Sequence, residues 1–349
     1  MSTHSTGVAR EPGYTVVENA ALDGRNTFRV LARAQLLIDV SDPAKLPDLF
    51  ALPALKAGPV LVLGAGSNVL FTRDWPGVVV SPVATGIRIV EDRGDTTLVR
   101  VCAGENWNDF VHWSLGHGFV GLENLALIPG NVGAAPIQNI GAYGVEVCEF
   151  IAVVEAYDRS AGTFVRVANA ECGFAYRDSL FKREPNRFVV TAVEFLLPRS
   201  HVLHLDYAGV REELAAMKIH TPTALLVAEA VSRLRLRKLP NPALIGNAGS
   251  FFKNPVVDAN LAEDLRRKHP EIPAWPAPGG LKLSAAWLIE ACDFKGLRED
   301  DAAISSQHAL VLVNHGHATG AQLWALAQRV MGSVHARFGV ALEPEPRVI

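Results

Sequence analysis

The run Gly121–Gly144, GLENLALIPGNVGAAPIQNIGAYG, contains one charged side chain, Glu123. Glycines stand at 121, 130, 133, 141 and 144, and prolines at 129 and 136. Surface linkers are hydrophilic, so a loop this long and this poor in charge does not read as one. Glycine permits positive φ and close approach of the backbone, and successive N–H groups can cradle phosphate oxygens. Asn131, Gln138 and Asn139 add donors and acceptors without charge. Composition alone leaves two readings open. One is an irregular core crossing made of tight turns; the other is a loop lying against something large, flat and partly apolar.

Before this loop, the short apolar run Pro59–Leu63 reads as a buried strand and runs directly into Gly64-Ala65-Gly66-Ser67-Asn68. Strand followed by glycine-rich turn invites a dinucleotide-fold reading, but Asn68-Val69 replaces the end of the GxGxxG pattern. The following FTRDWPGVVV is strand-like, not helical. A glycine-rich turn between strands still offers N–H groups to a pyrophosphate. Strands are expected at Gly77–Val83, Ile87–Glu91, Thr97–Ala103, Ile151–Asp158, Thr163–Val167 and Phe188–Leu196. Helical spacing covers Asn106–Leu115, Pro222–Arg237 (Thr221 as cap, Leu225, Leu226, Val231 and Leu234 inward) and Thr319–Phe338. The cations Arg233, Arg235, Arg237 and Lys238 read as ordinary partners of a helix C-terminus. Shorter helices are expected at Ala259–Lys268 and Ser284–Cys292, and a strand at Ala309–Asn314.

A length of 349 residues favours more than one domain, and 49% hydrophobic against 20% charged residues makes a large core feasible. A net charge of −3 without a long basic run points away from nucleic acid. Four cysteines with no CxxC pair fit free thiols in a reducing cytoplasm, and His112 and His117 have no companions for a metal site. No apolar run approaches the ~20 residues of a membrane span, and MSTHSTGVAREPGY lacks the apolar segment of a signal peptide. Residues 1–19 are expected to be a flexible tail.

PGNVGAAPIQNIGAYG (129–144) closely resembles the flavin-binding core of the UDP-N-acetylenolpyruvoylglucosamine reductase family. GAGSN (64–68), YRDS (176–179), GNAGSFFKNP (246–255) and LEPEPR (342–347) resemble further motifs of that family, in its order. The likeness spans about Asn26 to Arg347, nearly the whole chain. It implies an α+β fold with a FAD-binding domain of the vanillyl-alcohol-oxidase type in two subdomains, about 20–87 and 88–238. A smaller C-terminal α/β substrate domain, about 239–338, would follow the break at LPNPAL (239–244), and 339–349 would return to the active site.

The resemblance further implies NADPH-dependent reduction of UDP-N-acetylglucosamine enolpyruvate to UDP-N-acetylmuramate through FAD, by a cytoplasmic monomer in peptidoglycan-precursor synthesis. FAD would be held by Gly64, Ala65, Gly66, Ser67, Asn68, Pro129, Gly130, Asn131, Gly133, Ala134, Ala135, Gln138, Asn139, Gly141, Ala142 and Tyr143. Arg177 would face the reacting end of the substrate, Ser250 would donate a proton, and Glu345 would be the catalytic carboxylate. Tyr207, Lys238, Lys253, Asn254 and His308 would contact the substrate. Unaided, Arg177 reads as a surface partner of Asp178 or Glu171, and Ser250 as a turn residue. Tyr207 lies in DYAG and Pro346 replaces an expected aliphatic residue, both departures from the family pattern. An alcohol or hydroxy-acid oxidase of the same flavin fold would account for the first half of the chain, but not for GSFFKNP or LEPE. A flavin- or nucleotide-binding protein without catalysis would leave Arg177, Ser250 and Glu345 together without a reason. Under the family reading, a side chain at Gly133 is expected to block flavin before it harms folding.

Overall fold

The computed structural model describes residues 7–349, whose elements fall into two compact units. The first comprises residues up to Ala20, Ala34–Ala65 and Pro76–Arg235; the second comprises Ala21–Arg33, Gly66–Trp75 and Leu236–Ile349. A cut at 238/239 is therefore not where the compact units divide; two short early segments belong with the C-terminal third.

In the first unit, one five-stranded sheet has the order Val8–Glu11, Tyr14–Ala21, Arg33–Val40, Trp75–Pro82, Val60–Val62. Val60–Val62 runs parallel to Trp75–Pro82. Its core gathers Ile38, Val40, Val60, Val78 and Val80 with Leu46, Leu49 and Leu55 from two short helices. Of the expected tail 1–19, residues 1–6 lie outside the described residues, and the rest is corrected. Val8–Glu11 pairs antiparallel with Tyr14–Ala21, and Gly13, at φ +94°, turns between them. Tyr14 and Val16 pack on the core and anchor this hairpin.

The other sheet of this unit is antiparallel: Thr163–Ala168, Ile151–Asp158, Phe188–Pro198, Thr96–Cys102, Ile87–Asp92. Its central strand, FVVTAVEFLLP, is buried almost throughout, as a strand covered on both faces should be. Helix Trp107–Gly116 starts on Asn106, whose side chain accepts from Asp109 N–H, and it continues through Gly116, one residue beyond the expected stop. Trp107 is 1% exposed, and its Nε1 donates to Leu125 O at 2.9 Å, so one side chain fills the core and ties down the loop. Helix Ala224–Lys238 begins later than the sequence implies. Thr223, not Thr221, approaches its first turn, with Oγ1 at 3.4 Å from Leu226 N, and the resulting phase leaves Leu225 exposed.

The second unit has a sheet ordered Gly246–Asn247, Leu312–Asn314, Ala302–Ile304, Arg298–Glu299 and a three-stranded sheet centred on Gly280–Leu283. Helix Gly320–Phe338 buries Leu323, Leu326, Val330 and Val334. Thr319 and Gln322 cap it reciprocally, and Gly339 ends it in the left-handed region. Gly320 is required for packing: a Cβ there would lie 1.7 Å from Phe71 O. Among the described residues, no helix is long and apolar enough to cross a membrane.

Asp158 terminates strand Ile151–Asp158 and is 3% exposed. Its carboxylate accepts from Ser160 N–H (2.8 Å), Ala161 N–H (3.2 Å) and Arg187 Nη2 (2.7 Å). The hydrogen bond from Arg187 chiefly, with the backbone N–H groups, holds its pKa below the ordinary carboxylate value. Its stabilising effect is therefore present above the unfolded pKa of ~3.9 and is lost as pH falls through the lower folded value. Asp158→Asn should lower Tm at neutral pH by on the order of 2–6 °C, and the gap from wild type should close in acid. Calorimetry from pH 7 to pH 3 reads both; a gap that does not change with pH would rule out the charge as its cause.

Candidate active site

The central loop is fastened to the corner between strand Thr96–Cys102 and helix Trp107–Gly116. Trp107 N–H donates to Gly130 O (3.0 Å), Val132 N–H to Glu105 O (2.9 Å) and Gly133 N–H to Ala103 O (2.9 Å). Asn131 Nδ2 adds a bond to Gly104 O at 3.1 Å. A Cβ on Gly133 would lie 2.5 Å from Ala103 Cβ and 3.0 Å from its Cα. This corrects the expectation for Gly133: a side chain there first collides with the protein itself.

Downstream, Gly141–Ala142 pairs with Val145–Glu146, and both turn residues, Tyr143 (φ +49°) and Gly144 (φ +85°), are left-handed. Two such residues in succession make the tight turn that suits the twist of a hairpin. Asn139 is fully buried, with Nδ2 donating to Glu146 Oε2 and Ala175 O, and Oδ1 accepting from Cys148 N–H. Its side chain is a clamp inside the loop, not a group offered to a ligand. Pro129, Gly130, Ala134, Ala135 and Gln138 lie on the same folded path, with Ala135 buried and Gln138 Oε1 3.4 Å from Lys182 Nζ.

Arg177 occupies a tight turn in which Ala175 and Asp178 exchange backbone hydrogen bonds, and its φ is +53°. Asp178 pairs with Arg183, and Glu171 accepts from Ala168 N–H. Arg177 Nη2 donates to Gly141 O at 2.6 Å, placing a half-buried cation against the hairpin of the loop. Tyr207 is 49% exposed and meets Tyr143 edge-on at 5.2 Å between ring centroids.

Arg235 was not singled out by sequence reasoning. It sits on helix Ala224–Lys238, and its side chain makes no hydrogen bond or ion pair with another described residue. Burial lowers its pKa; Tyr143 opposes that shift and Arg177 adds to it. Two guanidinium groups thus influence each other beside Tyr143, an arrangement suited to an anionic ligand. The signal was in the spacing: Val227, Val231, Leu234 and Arg235 follow one helical stripe, so a cation stands beside buried apolar neighbours.

In the second unit, Gly66 has φ +65°, and a Cβ on it would lie 2.0 Å from Arg25 O. Thr27 N–H donates to Gly66 O, yet Thr27 Oγ1 is buried with no hydrogen-bond partner. Asn68 Nδ2 donates to Glu345 O at 3.3 Å, and Val69–Leu70 runs parallel to Arg347–Val348. Residues 251–253 and 343–345 lie side by side: Glu345 N–H donates to Phe251 O (2.7 Å) and Lys253 N–H to Glu343 O (3.0 Å). Glu345 is thus paired with Phe251, the chain neighbour of Ser250, whose hydroxyl bonds to no other described residue. Pro346 is buried and accommodated in this pairing.

Lys253 Nζ is 3.0 Å from Glu343 Oε2, and Asn254 Oδ1 accepts from Ala285 N–H at the start of helix Ala285–Ala291. His308 Nδ1 accepts from Leu310 N–H at 3.2 Å. Burial first, then the positive charge of Lys238, lowers the His308 pKa, so the ring is neutral at pH 7 with its proton on Nε2. Lys238 and His308 thus form a local cation and neutral donor.

A family model described as FAD binding domain matches residues 34–168, and one described as UDP-N-acetylenolpyruvoylglucosamine reductase, C-terminal domain, matches 241–349. A UDP-N-acetylenolpyruvoylglucosamine reductase of Xylella fastidiosa (strain M12) is 55% identical over 340 residues, covering 97% of both chains. The chain belongs to the UDP-N-acetylenolpyruvoylglucosamine reductase family. A reductase of this name from Xanthomonas campestris pv. campestris (strain B100) is 54% identical over 338 residues, 96% of this chain and 97% of its own. The crystal structure of the UDP-N-acetylenolpyruvylglucosamine reductase of Thermus caldophilus aligns over 99% of both chains, with TM-score 0.67 and 26% identity. The α+β class and the FAD-binding domain expected from the sequence stand.

The residues of this reductase-family chain fit a bound FAD. In the first unit, Gly64 leaves room where a Cβ would meet nothing nearer than Ala134 Cβ at 3.9 Å. In the second unit, Thr27 Oγ1 is a buried polar atom in need of a partner. Gly64→Ala should therefore retain the apoprotein Tm within about 2 °C while weakening FAD retention, whereas Gly133→Ala should lower the apoprotein Tm itself. Apoprotein melting and FAD titration by fluorescence quenching separate the two. Unchanged FAD affinity in Gly64→Ala would remove Gly64 from the cofactor site.

Proposed function

We propose that this chain reduces UDP-N-acetylglucosamine enolpyruvate to UDP-N-acetylmuramate with NADPH as reductant, as a cytoplasmic monomer in peptidoglycan-precursor synthesis. As a member of the reductase family it is an FAD-dependent oxidoreductase. Bound FAD supplies the hydride-transfer chemistry. In the first unit, the candidates for holding it are the Gly64-Ala65 end of the turn and the loop from Pro129 to Tyr143; in the second, Gly66, Ser67, Asn68 and Thr27.

The observation that carries the proposal is the pairing within the second unit, where the free hydroxyl of Ser250 adjoins a segment bonded backbone to backbone with Glu345. Hydride addition to the terminal carbon of the enol ether leaves negative charge shared by the other carbon and the substrate carboxylate. That charge calls for a fixed cation, the role given to Arg177. The other carbon then takes a proton from Ser250 Oγ. Serine is a weak acid, but an enolate carbon is a strong base, so placement matters more than acidity. Glu345 is given the task of orienting that proton. Lys238 and neutral His308 offer a charge and a donor to the nucleotide diphosphate, joined by Lys253 and Asn254 Nδ2. Tyr207 is assigned to the substrate from the first unit.

Ser250→Ala tests the assignment. In stopped flow under anaerobic conditions, bleaching of the flavin by NADPH should proceed at the wild-type rate. Reoxidation by the enolpyruvyl nucleotide should slow by roughly 10²–10⁴-fold, as for a lost general acid, and Ser250→Cys should recover part of the loss. Equal slowing of both half-reactions would mean a structural role for Ser250.

A further inference from the structure

Glu123 is the one charge of the central loop, and it is fully buried. A buried carboxylate is tolerated only when its oxygens are bonded. Oε2 accepts from Gly121 N–H at 2.6 Å, and Oε1 lies 2.5 Å from His201 Nε2, a distance at which the two share a hydrogen bond. Asn124, also fully buried, donates from Nδ2 to Tyr143 O and His204 O, both at 2.9 Å.

His201 and His204 belong to the segment between strand Phe188–Pro198 and helix Val210–Ala216, which has no helix or strand through 201–206. His201, Leu203 and Leu205 are partly buried while Val202, His204 and Asp206 are exposed. The segment is therefore an extended strap whose alternate side chains enter the core. Leu203 and Leu205 supply apolar contact, which is undirected, whereas the His201–Glu123 and Asn124–His204 bonds fix its register. At its end stands Tyr207, edge-on to Tyr143, whose carbonyl Asn124 also holds.

We infer that His201 and Glu123 are positioning residues that set the strap carrying Tyr207 against the central loop. The inference rests on the proposed contact of Tyr207 with the substrate. Glu123 orients His201, His201 fixes the strap, and Tyr207 is thereby presented to the substrate at low entropic cost. A buried acid–imidazole pair serving stability alone would have no reason to act through Tyr207.

A double-mutant cycle on the full-length holoenzyme tests this, with His201→Ala, His201→Gln, Tyr207→Ala and the double variant His201→Ala/Tyr207→Ala. KM for the enolpyruvyl nucleotide should rise roughly 5–50-fold in His201→Ala, with kcat and the rate of flavin bleaching by NADPH within about twofold of wild type. His201→Gln, which keeps a donor at the Nε2 position, should recover most of the loss. Hydrogen exchange over 201–209 should accelerate in His201→Ala. In the Tyr207→Ala background, His201→Ala should raise KM no further. Multiplicative effects in the double variant, or loss of FAD from His201→Ala, would overturn the positioning role. If Tyr207→Ala alone leaves KM unchanged, the substrate role of Tyr207 fails and the positioning role falls with it. If Tyr207→Ala raises KM and His201→Ala does not, only the positioning role fails.

Discussion

Three backbone hydrogen bonds, from Trp107, Val132 and Gly133 to Gly130, Glu105 and Ala103, hold the central loop at the end of strand Thr96–Cys102 of the antiparallel sheet. A long loop cannot stay near a core unless its backbone groups find partners. Here side chains supply many of them: Asn108 accepts from Leu127 N–H, Asn139 clamps both flanks, and Trp107 Nε1 takes Leu125 O. The absence of a side chain at 133 is what lets the loop approach Ala103 closely enough for these bonds. The loop is rigid because the protein satisfies it, and a rigid loop can serve as a platform for a flat ligand.

From that platform the local chemistry of the first unit follows. The left-handed pair Tyr143-Gly144 closes the hairpin, Gly141 offers its carbonyl to Arg177, and Tyr143 receives the ring of Tyr207. Arg235 adds a second cation, one that burial and Arg177 both disfavour. The second unit uses another device, side-by-side pairing of residues 251–253 with 343–345, which ties the segment after Ser250 to the one that carries Glu345. In the proposed reaction, a group held by such backbone pairing needs little reorganisation when charge develops on the substrate.

What the sequence made legible was local or compositional. Helix Gly320–Phe338 was readable because its cap, apolar stripe and terminal glycine are encoded within twenty-odd neighbouring positions. The hairpin 8–21 was missed because Val8–Glu11 is exposed along its length and has no apolar pattern to betray it. Helix Ala224–Lys238 was set in the wrong phase because Thr221 and Thr223 flank Pro222 and either could cap. Gly133 was recognised as special for a reason the fold does not share: its neighbour, Ala103, lies some thirty residues earlier, and no local pattern records that contact. For Arg177 the residues alone offered Asp178 or Glu171 as surface partners and only the family resemblance pointed elsewhere; its bond to Gly141 O, 36 residues earlier, has no local signal. The family motifs supplied Ser250 and Glu345; only the structure showed that their segments are hydrogen-bonded together.

The central claim is that this chain passes reducing equivalents from NADPH to an enolpyruvyl nucleotide. Anaerobic mixing of the purified holoprotein with one equivalent of NADPH, followed by UDP-N-acetylglucosamine enolpyruvate, tests it in one cuvette. The account predicts that NADPH bleaches the visible flavin absorbance and that the nucleotide restores it, with UDP-N-acetylmuramate as product by mass. Flavin that NADPH bleaches but the nucleotide cannot reoxidise would contradict it.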